Sequence, residues 1–416
     1  MELTFPKYFE SILKRYLKQT FYATTRREVF SERDFGPKDL KLFAQGAKTL
    51  SGLFTSERKD LAANYLNDKK YRAGYLLYFL PLNFCKAQSI LEKLPASFFE
   101  RPKIKVLDLG CGPGTFSLAL IDYLVQRREK KKERIEVEVL ALDQNYHVLK
   151  DAQILHEEMA KALKSKGHNL RVNLAVRTFD LRRGKPDTLL KNDQFDLIVA
   201  SNFLNEWVSS SSQEKAKFLE KIYQRHLPPD GFLILMEPGF QRSTRDLMAL
   251  RDLILSRKGL NVFAPCLHQR ECPMLAATDR DWCHFYIQWE QPAFMKELDR
   301  LLKNKNEFLK LSYMIFTSKH LSEVDRLHLK KEEAAQISRA VSNLMGSKGK
   351  SEIVLCGAGG RWRVSRLDKN RAEPNRGFAE LKRGDLVYVP KIPSRPFVQE
   401  GDLRIEKGDR IEKIPS

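Results

Sequence analysis

A short glycine-rich segment offers the clearest chemistry in this sequence. The apolar run 104–109 ends in Gly110-Cys111-Gly112-Pro113-Gly114, and a helical pattern follows directly. Glycines at such a turn let the backbone approach a ligand without a Cβ in the way, and the start of the next helix offers free N–H groups to a carboxylate. Asp108, just before the turn, can accept hydrogen bonds from an ammonium group. The predicted cofactor-binding residues of this segment are Asp108, Gly110, Gly112 and Gly114.

Polar residues at the ends of the next three predicted strands complete the site. Asp143 ends the second strand, where a carboxylate can bind both ribose hydroxyls. Asp180 follows the third strand and can meet an adenine amino group, and Asn202 follows the fourth. As a set, these motifs resemble the class I S-adenosylmethionine (SAM)-dependent methyltransferase superfamily over residues 101–240. The alternative is a nicotinamide-binding Rossmann domain, whose fingerprint spaces its third glycine more widely.

Four of the six cysteines form a second candidate site. Cys266 and Cys272 share one segment, Cys283 follows shortly after, and Cys356 lies far downstream. Thiolates are soft ligands, and a set of four suits tetrahedral zinc or an iron–sulfur cluster. The interval between Cys266 and Cys272 is wider than a zinc knuckle, and Pro273 after the second is typical of a cluster cysteine. The spacing slightly favours a cluster, with zinc, or unrelated buried thiols, as the alternatives.

The sequence around these cysteines carries a narrower resemblance, which extends over residues 65–365. It resembles the Rsm-twenty-two family, whose mitochondrial members include methyltransferase-like protein seventeen. The phrases that carry the likeness are Tyr78-Phe79-Leu80-Pro81-Leu82-Asn83-Phe84, Glu237-Pro238-Gly239-Phe240, Ala264-Pro265-Cys266, Cys272-Pro273 and Trp282-Cys283-His284-Phe285.

The resemblance implies a 4Fe–4S cluster held by the four cysteines that match the family's ligands, Cys266, Cys272, Cys283 and Cys356. It also implies binding to the small ribosomal subunit and its RNA during maturation, in support of translation. We therefore expect a SAM-binding, iron–sulfur-containing methyltransferase-like protein that acts on small-subunit rRNA. The alternatives are a catalytically inactive rRNA-binding assembly factor and a zinc-stabilised methyltransferase for another substrate.

The catalytic residues are less well marked. Methyl transfer requires little beyond placing the nucleophile in line with the sulfonium of SAM. The stretch 201–207 after the fourth strand lacks the paired prolines common in enzymes that methylate base amines. Asn202, Asn205 and Glu206 are the candidates, and none is assigned a catalytic role. We expect a SAM-dependent rRNA methyltransferase, against a factor that keeps SAM as a structural or sensing ligand.

An α/β domain must position these residues. Short apolar runs alternate with longer amphipathic segments, which predicts parallel strands joined by helices, a Rossmann-like class I methyltransferase domain. The predicted strands are 104–109, 137–142, 173–178, 195–200, 231–236, 284–289 and 311–316, and the predicted helices are 117–127, 147–164, 213–225 and 293–302.

Two further regions flank this domain. Residues 1–100 are predicted to be helical, with the aromatic residues of 64–86 on one packed face. The domain itself covers 101–340 with a cysteine-rich insertion at 261–290. A small β module at 345–416 contributes the fourth cysteine, and the tail from about 400 is predicted to be loose.

Charge predicts the partner. The chain has 73 basic and 53 acidic side chains, a net charge of +20, which favours a polyanion such as RNA over a small-molecule substrate. In the β module, guanidinium groups lie beside an aromatic ring, a combination that suits phosphate contact and base stacking. The predicted nucleic-acid residues are Arg361, Trp362, Arg363 and Arg366.

The sequence also bears on the compartment. No apolar run reaches the length of a membrane span, and the first residues lack the apolar core of a secretory signal. We expect a bacterial cytoplasmic protein, with the mitochondrial matrix as the alternative. No membrane partner is expected, and the chain is expected to be monomeric when off the ribosome.

Overall fold

The computed structural model describes residues 3–21, 36–55, 65–128, 134–184, 186–327, 329–393 and 396–414. The helices in these ranges are α1 (Lys7–Phe21), α2 (Pro37–Thr55), α3 (Lys69–Gly74), α4 (Leu80–Leu91), α5 (Thr115–Arg128), α6 (Tyr146–Ser165), α7 (Asp187–Leu190), α8 (Ser212–His226), α9 (Gln241–Ser256), α10 (Pro273–Ala277), α11 (Ala293–Leu302) and α12 (Lys331–Ala334). None of the described helices is long and apolar enough to span a membrane.

The strands fall into an α/β set and a later all-β set. The first set is β1 (Lys103–Leu109), β2 (Ile135–Asp143), β3 (Leu170–Thr178), β4 (Leu197–Ser201), β5 (Phe232–Pro238), β6 (Asn261–Ala264), β7 (Phe285–Gln288) and β8 (Phe308–Thr317). The second is β9 (Ile337–Ala340), β10 (Met345–Ser347), β11 (Lys350–Gly357), β12 (Gly360–Leu367), β13 (Leu386–Tyr388), β14 (Val398–Ile405) and β15 (Glu412–Ile414).

The chain divides into two compact units. The first comprises Met1–Ser209, Arg225–Pro228 and Ile287–Leu309, and the second comprises Ser210–Gln224, Pro229–Tyr286 and Lys310–Ser416. The three-domain division expected from the sequence remains a prediction.

The first unit holds four parallel strands in the order β3-β2-β1-β4. Helices α5, α6 and α7 connect them, so strand and helix alternate as the hydrophobic pattern predicts. The strand order reverses between β1 and β4, and ligands of such sheets bind beyond the carboxyl ends of the strands at this switch point. Leu109 of β1 pairs with Leu142 of β2 and Ala200 of β4, which brings the predicted cofactor residues to one edge.

The helical lead-in of the first unit contains an irregular turn. Asp68 caps α3 by accepting from the N–H groups of Lys70 and Tyr71. A π-helical turn, Tyr75–Phe79, then leads into α4, and Pro81 lies in the first turn of α4, where no intrahelical N–H bond is required. Pro81 therefore lies next to a change of helix type and does not break the helix.

The second unit contains the remaining sheet structure. Strand β8 runs antiparallel to β5 and β6, and β7 also pairs with it. The β module is a seven-stranded sheet in the order β14-β12-β11-β9-β13-β15, with β10 paired to β11. Its core includes Ile353, Val364 and Phe378, each fully buried.

The α/β class, the helical lead-in and the C-terminal β module are confirmed, and each predicted strand and helix is present with ends that agree to within three residues. The prediction of a loose tail is wrong, because β14 pairs with β12 and β15 pairs with β13. Alternating exposed and buried residues in β14 mark a strand with one solvent face, which its high charge obscures in the sequence.

Candidate functional site

The turn after β1, residues 110–114, is called the cofactor loop below. Its three glycines, Gly110, Gly112 and Gly114, have φ values of +64°, +53° and +73°, the left-handed region that favours glycine. The Cys111 N–H donates to the Leu142 carbonyl at 3.0 Å, which fixes the loop to the end of β2. The loop passes directly into α5, so its backbone and the first turn of the helix face the same edge.

Two rings pack against the loop glycines. A Cβ on Gly110 would overlap the ring of Phe203, and a Cβ on Gly114 would lie 2.5 Å from Cε1 of His156. His156 is fixed by the Ala152 carbonyl at 2.7 Å and the Ser117 hydroxyl at 3.0 Å. Burial lowers the pKa of His156 to about 4, so the ring stays neutral at physiological pH. The loop therefore requires glycine for space as well as for φ.

Asp108 is the most unusual group of the site. It is 1% exposed, and neither carboxyl oxygen has a hydrogen-bond partner among the described residues. Burial, and after it the charge of Asp143, raises the pKa of Asp108 from 3.8 to about 7, against a smaller opposing effect of Ser117. A buried carboxyl without a partner costs free energy and suits a cationic ligand group.

Asp143 lies at the end of β2, as predicted. Its two oxygens accept from the Gly112 N–H at 2.9 Å and the Asn145 N–H at 2.8 Å. Burial raises the pKa of this carboxyl, and the backbone donors oppose the shift. Each oxygen keeps further acceptor capacity, so both can still accept a hydroxyl donor.

Asp180 lies just beyond β3 and is held by its own loop. The Arg182 N–H and Nε donate to one carboxylate oxygen at 3.0 and 3.2 Å. Burial pushes the pKa of Asp180 upward, but the bonds from Arg182 outweigh it and lower the pKa. Contact with an adenine amino group would have to use the remaining lone pairs of this carboxylate.

The candidate catalytic residues follow β4. Asn202 adopts a left-handed conformation, φ +55°, which is uncommon for a residue with a side chain and is often found at functional sites. Asn205 is 9% exposed, and Glu206 accepts a 3.3 Å hydrogen bond from the Tyr65 hydroxyl. The structure therefore brings Asn202 and Glu206 to the carboxyl edge of the sheet, whereas Asn205 turns into the protein.

Sequence reasoning missed two side chains here. Tyr65 and Tyr75 are assigned to a packed helical face from their spacing, yet both lie within electrostatic reach of Glu206 and Asp143. Their partners follow β2 and β4, which only the three-dimensional fold brings close. A signal was present in the unusual density of tyrosines before Pro81, but it does not say which rings face a ligand.

The four predicted cysteine ligands lie together in the second unit and are called the cysteine cluster below. Burial, and then the Cys266 thiol, raises the pKa of Cys272 to about 12. Burial and the other cluster thiols also raise the pKa values of Cys283 and Cys356. All four side chains are free thiols that interact electrostatically with one another.

Buried cations surround the cysteine cluster. Burial is the largest single effect and lowers the pKa of Arg251, but Cys266, Asp252 and Cys272 together outweigh it and raise the pKa of the guanidinium. Arg339 is 3% exposed and pairs with Glu323, and its Nε donates to the Pro265 carbonyl at 2.8 Å. Burial is the largest effect on Arg339 and lowers its pKa. Glu323 and, more weakly, Cys283 and Cys266 act in the opposite direction, and the pKa is raised overall.

One histidine and one backbone contact complete this environment. His268 Nε2 lies 3.7 Å from the Cys356 Sγ, and the Arg251 guanidinium donates to the His268 carbonyl at 2.7 Å. The Cys272 N–H donates to Asp252 at 3.0 Å. Within the described ranges, no group of three or more His, Cys, Asp or Glu side chains has the geometry of a metal site. The cluster is therefore a buried thiol set with compensating charge nearby.

The predicted nucleic-acid residues require a correction. Arg361 is 3% exposed and pairs with Asp281 at 2.9 Å and Glu400 at 2.5 Å. Arg366 is 2% exposed and donates to the Asn375 carbonyl at 2.7 Å. A phosphate cannot reach these guanidinium groups unless the buried contacts break.

The other two residues of this strand differ from each other. Trp362 packs against the module core, and its Nε1 donates to the Gly359 carbonyl at 3.2 Å. Arg363 keeps 49% of its side chain exposed. Arg361 and Arg366 are buried by their partners and Arg363 is exposed, so these basic residues do not form one basic surface.

Comparison with solved structures finds methyltransferases at low similarity. A protein from Streptococcus mutans described as a SAM-dependent methyltransferase is 11% identical (51% of this chain, 44% of that chain, TM-score 0.31). A class I SAM-dependent methyltransferase from Listeria monocytogenes is also 11% identical (76% and 85%, TM-score 0.35). The Methanococcus jannaschii fibrillarin pre-rRNA processing protein is 11% identical as well (55% and 72%, TM-score 0.30).

These TM-scores are too low to support an argument, and the chain spans less than half the length of the first of the three. No curated protein matches the sequence. A sequence model does match: that of the family described as mitochondrial small ribosomal subunit Rsm22, over residues 70–386, which is most of the chain. The chain belongs to the Rsm22 family.

Proposed function

We propose that this protein is a SAM-binding, methyltransferase-like factor that acts on the RNA of the small ribosomal subunit. The observation that carries the proposal is the cofactor loop at the switch point of a parallel sheet, with the partnerless carboxyl of Asp108 beneath it. The Rsm22 family description names the small ribosomal subunit, and the net charge of +20 favours an RNA partner.

The residues present fit SAM at both of its ends. The cofactor loop and the start of α5 offer backbone N–H groups to the methionine carboxylate, and Asp108 offers a carboxylate to its ammonium. Asp143 has acceptor capacity for the ribose hydroxyls. Bound SAM would supply an electrophilic methyl group, and the protein's contribution would be to place a nucleophile opposite it and exclude water.

We further propose that the cysteine cluster holds a 4Fe–4S centre through Cys266, Cys272, Cys283 and Cys356. A metal keeps thiols deprotonated, and a centre held by four thiolates is anionic. Arg251 and Arg339 supply positive charge at this position, and His268 lies against one of the sulfurs. Zinc is the alternative metal for the same donors.

Transfer of labelled methyl groups tests the activity. Small ribosomal subunits from cells that lack this protein are incubated with the full chain and SAM carrying a tritiated methyl group. We expect label in the rRNA with the wild-type chain and none with Gly114→Ala, because that substitution forces a Cβ against the buried His156 ring. Label in a ribosomal protein instead of the rRNA would contradict the proposed substrate.

A non-catalytic assembly factor is the second candidate. The observation in its favour is that Asn205 is buried and Glu206 is engaged by Tyr65, so two of the three candidate catalytic side chains have structural contacts. In that case the wild-type chain binds S-adenosylhomocysteine and the small subunit but leaves the rRNA unlabelled. This outcome would retain the cofactor site and reject the enzyme. On either reading, we propose a cytoplasmic or mitochondrial matrix location.

A further inference from the structure

Tyr65 and Tyr75 belong to a recess in the first unit that neither the family description nor the cofactor chemistry explains. The Tyr65 hydroxyl donates to Glu206 at 3.3 Å, and burial, then Glu206, raises the pKa of each phenol. Both side chains nevertheless keep part of their surface accessible. Two half-buried aromatic rings beside one carboxylate make this region a candidate ligand surface. We call this the aromatic recess.

The recess lies next to the cofactor loop. After Glu206, the negative neighbours that raise the pKa of Tyr75 include Asp143 and Asp108, the two carboxyls assigned to SAM. The Phe203 ring lies against Gly110 of the same loop and packs edge-on to Trp207 at 5.1 Å. The aromatic recess and the cofactor residues therefore share one edge of the sheet.

Polar groups of different kinds complete the recess. Asn83 is hydrogen-bonded to Tyr75, and Lys86 Nζ lies 3.4 Å from the Asn83 Oδ1. Glu206 accepts from the Tyr65 hydroxyl. Two phenols, an amide, a carboxylate and an ammonium thus converge on one small region. This mixture offers both donors and acceptors to a planar heterocycle.

Local structure explains why these side chains meet. The π-helical turn begins at Tyr75 and rotates the chain between α3 and α4, and such turns are frequent at functional sites. The Asn145 amide donates to the Asn67 side chain at 3.0 Å, which connects the segment before α3 to the end of β2. Phe54 packs edge-on against Tyr65 at 5.7 Å. The helical lead-in thereby forms one wall of the site.

We propose that the aromatic recess is the methyl-acceptor subsite and binds a single unpaired nucleobase of the RNA, stacked on Tyr65 or Tyr75 and hydrogen-bonded by Asn83 and Glu206. The inference rests on the proposed function and specifies where its substrate binds. A base must leave its stack to reach a buried reactive group, and aromatic rings with hydrogen-bonding side chains are the usual receptors for such a base. The competing class of methyl acceptor is a cationic protein side chain, and the positive charge of Lys86 disfavours its binding here.

Photochemical crosslinking locates the base. Small-subunit rRNA is prepared with 4-thiouridine or, separately, 6-thioguanosine, mixed with the full chain and saturating S-adenosylhomocysteine, and irradiated. Tryptic peptides that carry a nucleotide are then identified. We expect crosslinks in the peptides 60–69 and 73–86, which contain Tyr65 and Tyr75 respectively.

Variants show whether the recess residues bind the base. Loss of a stacking ring corresponds to roughly 5- to 150-fold weaker binding of a base, so Tyr75→Leu should strongly lower recess crosslinks relative to crosslinks elsewhere in the same chain. Glu206→Gln keeps the shape and should lower them less. The matched control is Tyr78→Phe, because the Tyr78 hydroxyl is on the same π-helical turn but donates to Asp299 at 2.9 Å.

The outcomes separate this inference from the proposed function. If the wild-type chain binds S-adenosylhomocysteine but crosslinks only outside these peptides, the recess assignment is wrong and the cofactor site stands. If Tyr75→Leu and Tyr78→Phe have equal effects, the recess is structural and the inference fails. If the folded chain binds no S-adenosylhomocysteine, the proposed function itself is contradicted, before any question about the recess.

Discussion

The cofactor loop takes its shape from five consecutive residues, whereas the cysteine cluster is assembled from distant parts of the second unit. In the loop, positive φ angles and two packed rings place the backbone before any ligand binds. In the cluster, Cys356 comes from β11 and the other thiols come from segments beside β6, α10 and β7. The loop is thus preorganised by local backbone geometry, and the cluster depends on long-range packing.

The two sites also balance charge differently. The cofactor site contains two carboxyls, Asp108 and Asp143, an arrangement that suits a cationic group of the ligand. In the cluster, burial raises the pKa values of Cys272, Cys283 and Cys356, and arginines lie close by, which suits an anionic centre. We therefore expect ligand binding to change the cofactor site only gradually. Metal loss, in contrast, should disrupt the cysteine cluster as a whole.

The largest effect is expected from removing one cluster thiol. Cys283→Ser should lose essentially all bound iron and visible absorption and yield unstable protein, because one missing ligand leaves the other thiols uncompensated. Cys85→Ala is the matched control, since Cys85 is an equally buried thiol in the first unit. Iron analysis and absorption spectra of protein purified without oxygen measure both. A stable, coloured Cys283→Ser protein would contradict the cluster.

A smaller effect is expected at the contact that holds the Cys283 segment to the β module. Arg361→Met should lower the free energy of unfolding by about 1–3 kcal/mol, because Asp281 and Glu400 lose their partner but are themselves half exposed and can be solvated. Chemical denaturation of the metal-loaded chain checks this. Unchanged stability would mean that this buried guanidinium contributes nothing to the packing around the cluster.

At the cofactor site, the expected effect depends on pH. The pKa of Asp108 is raised to about 7, so the carboxyl is protonated below this pH and ionised above it. The ammonium of S-adenosylhomocysteine prefers the ionised form, so affinity should rise about tenfold between pH 6 and 8 and then level off. Titration calorimetry measures the profile. Asp108→Asn should bind weakly and flatten it, and an equally steep profile in that variant would assign the titration to another group.

The same ionisation has a consequence for the ligand-free protein. Because the pKa of Asp108 in the folded state lies above the ordinary value of 3.8, the folded state holds the proton more tightly than the unfolded chain. The stability that this gives is full below about pH 4 and is lost as the pH rises towards 7. Asp108→Asn should remove that part of the pH dependence of unfolding.

The smallest effect is expected at the exposed arginine of β12. Arg363→Ala should leave stability nearly unchanged and reduce the slope of log affinity for rRNA against log salt by about 0.7–0.9, the value for one phosphate contact. Filter binding at several salt concentrations gives the slope. An unchanged slope would mean that Arg363, the one exposed arginine of the predicted set, does not contact the RNA. Other basic surfaces would then be the candidates.

The same difference between local and long-range structure decides which features could be predicted from the sequence. The cofactor loop, Asp108 and Asp143 were predictable because strand, turn and helix are contiguous and the ends of parallel strands meet at one edge. Arg361 and Arg366 were misassigned because their burial depends on the partners Asp281, Glu400 and Asn375, which come from other segments of the chain. Tyr65 and Tyr75 were missed because their neighbours Asp143 and Glu206 lie between 68 and 141 residues further along the chain.

Binding of S-adenosylhomocysteine to two glycine variants tests the central claim, the cofactor loop, most directly. The folded wild-type chain should bind one ligand. Gly112→Ala, with φ +53° and open space around it, should weaken binding by about 5- to 30-fold, the cost of a left-handed alanine. Gly114→Ala adds the contact with His156 and should weaken binding well beyond that. No binding by the folded wild-type chain, or undiminished binding by Gly114→Ala, would contradict the account.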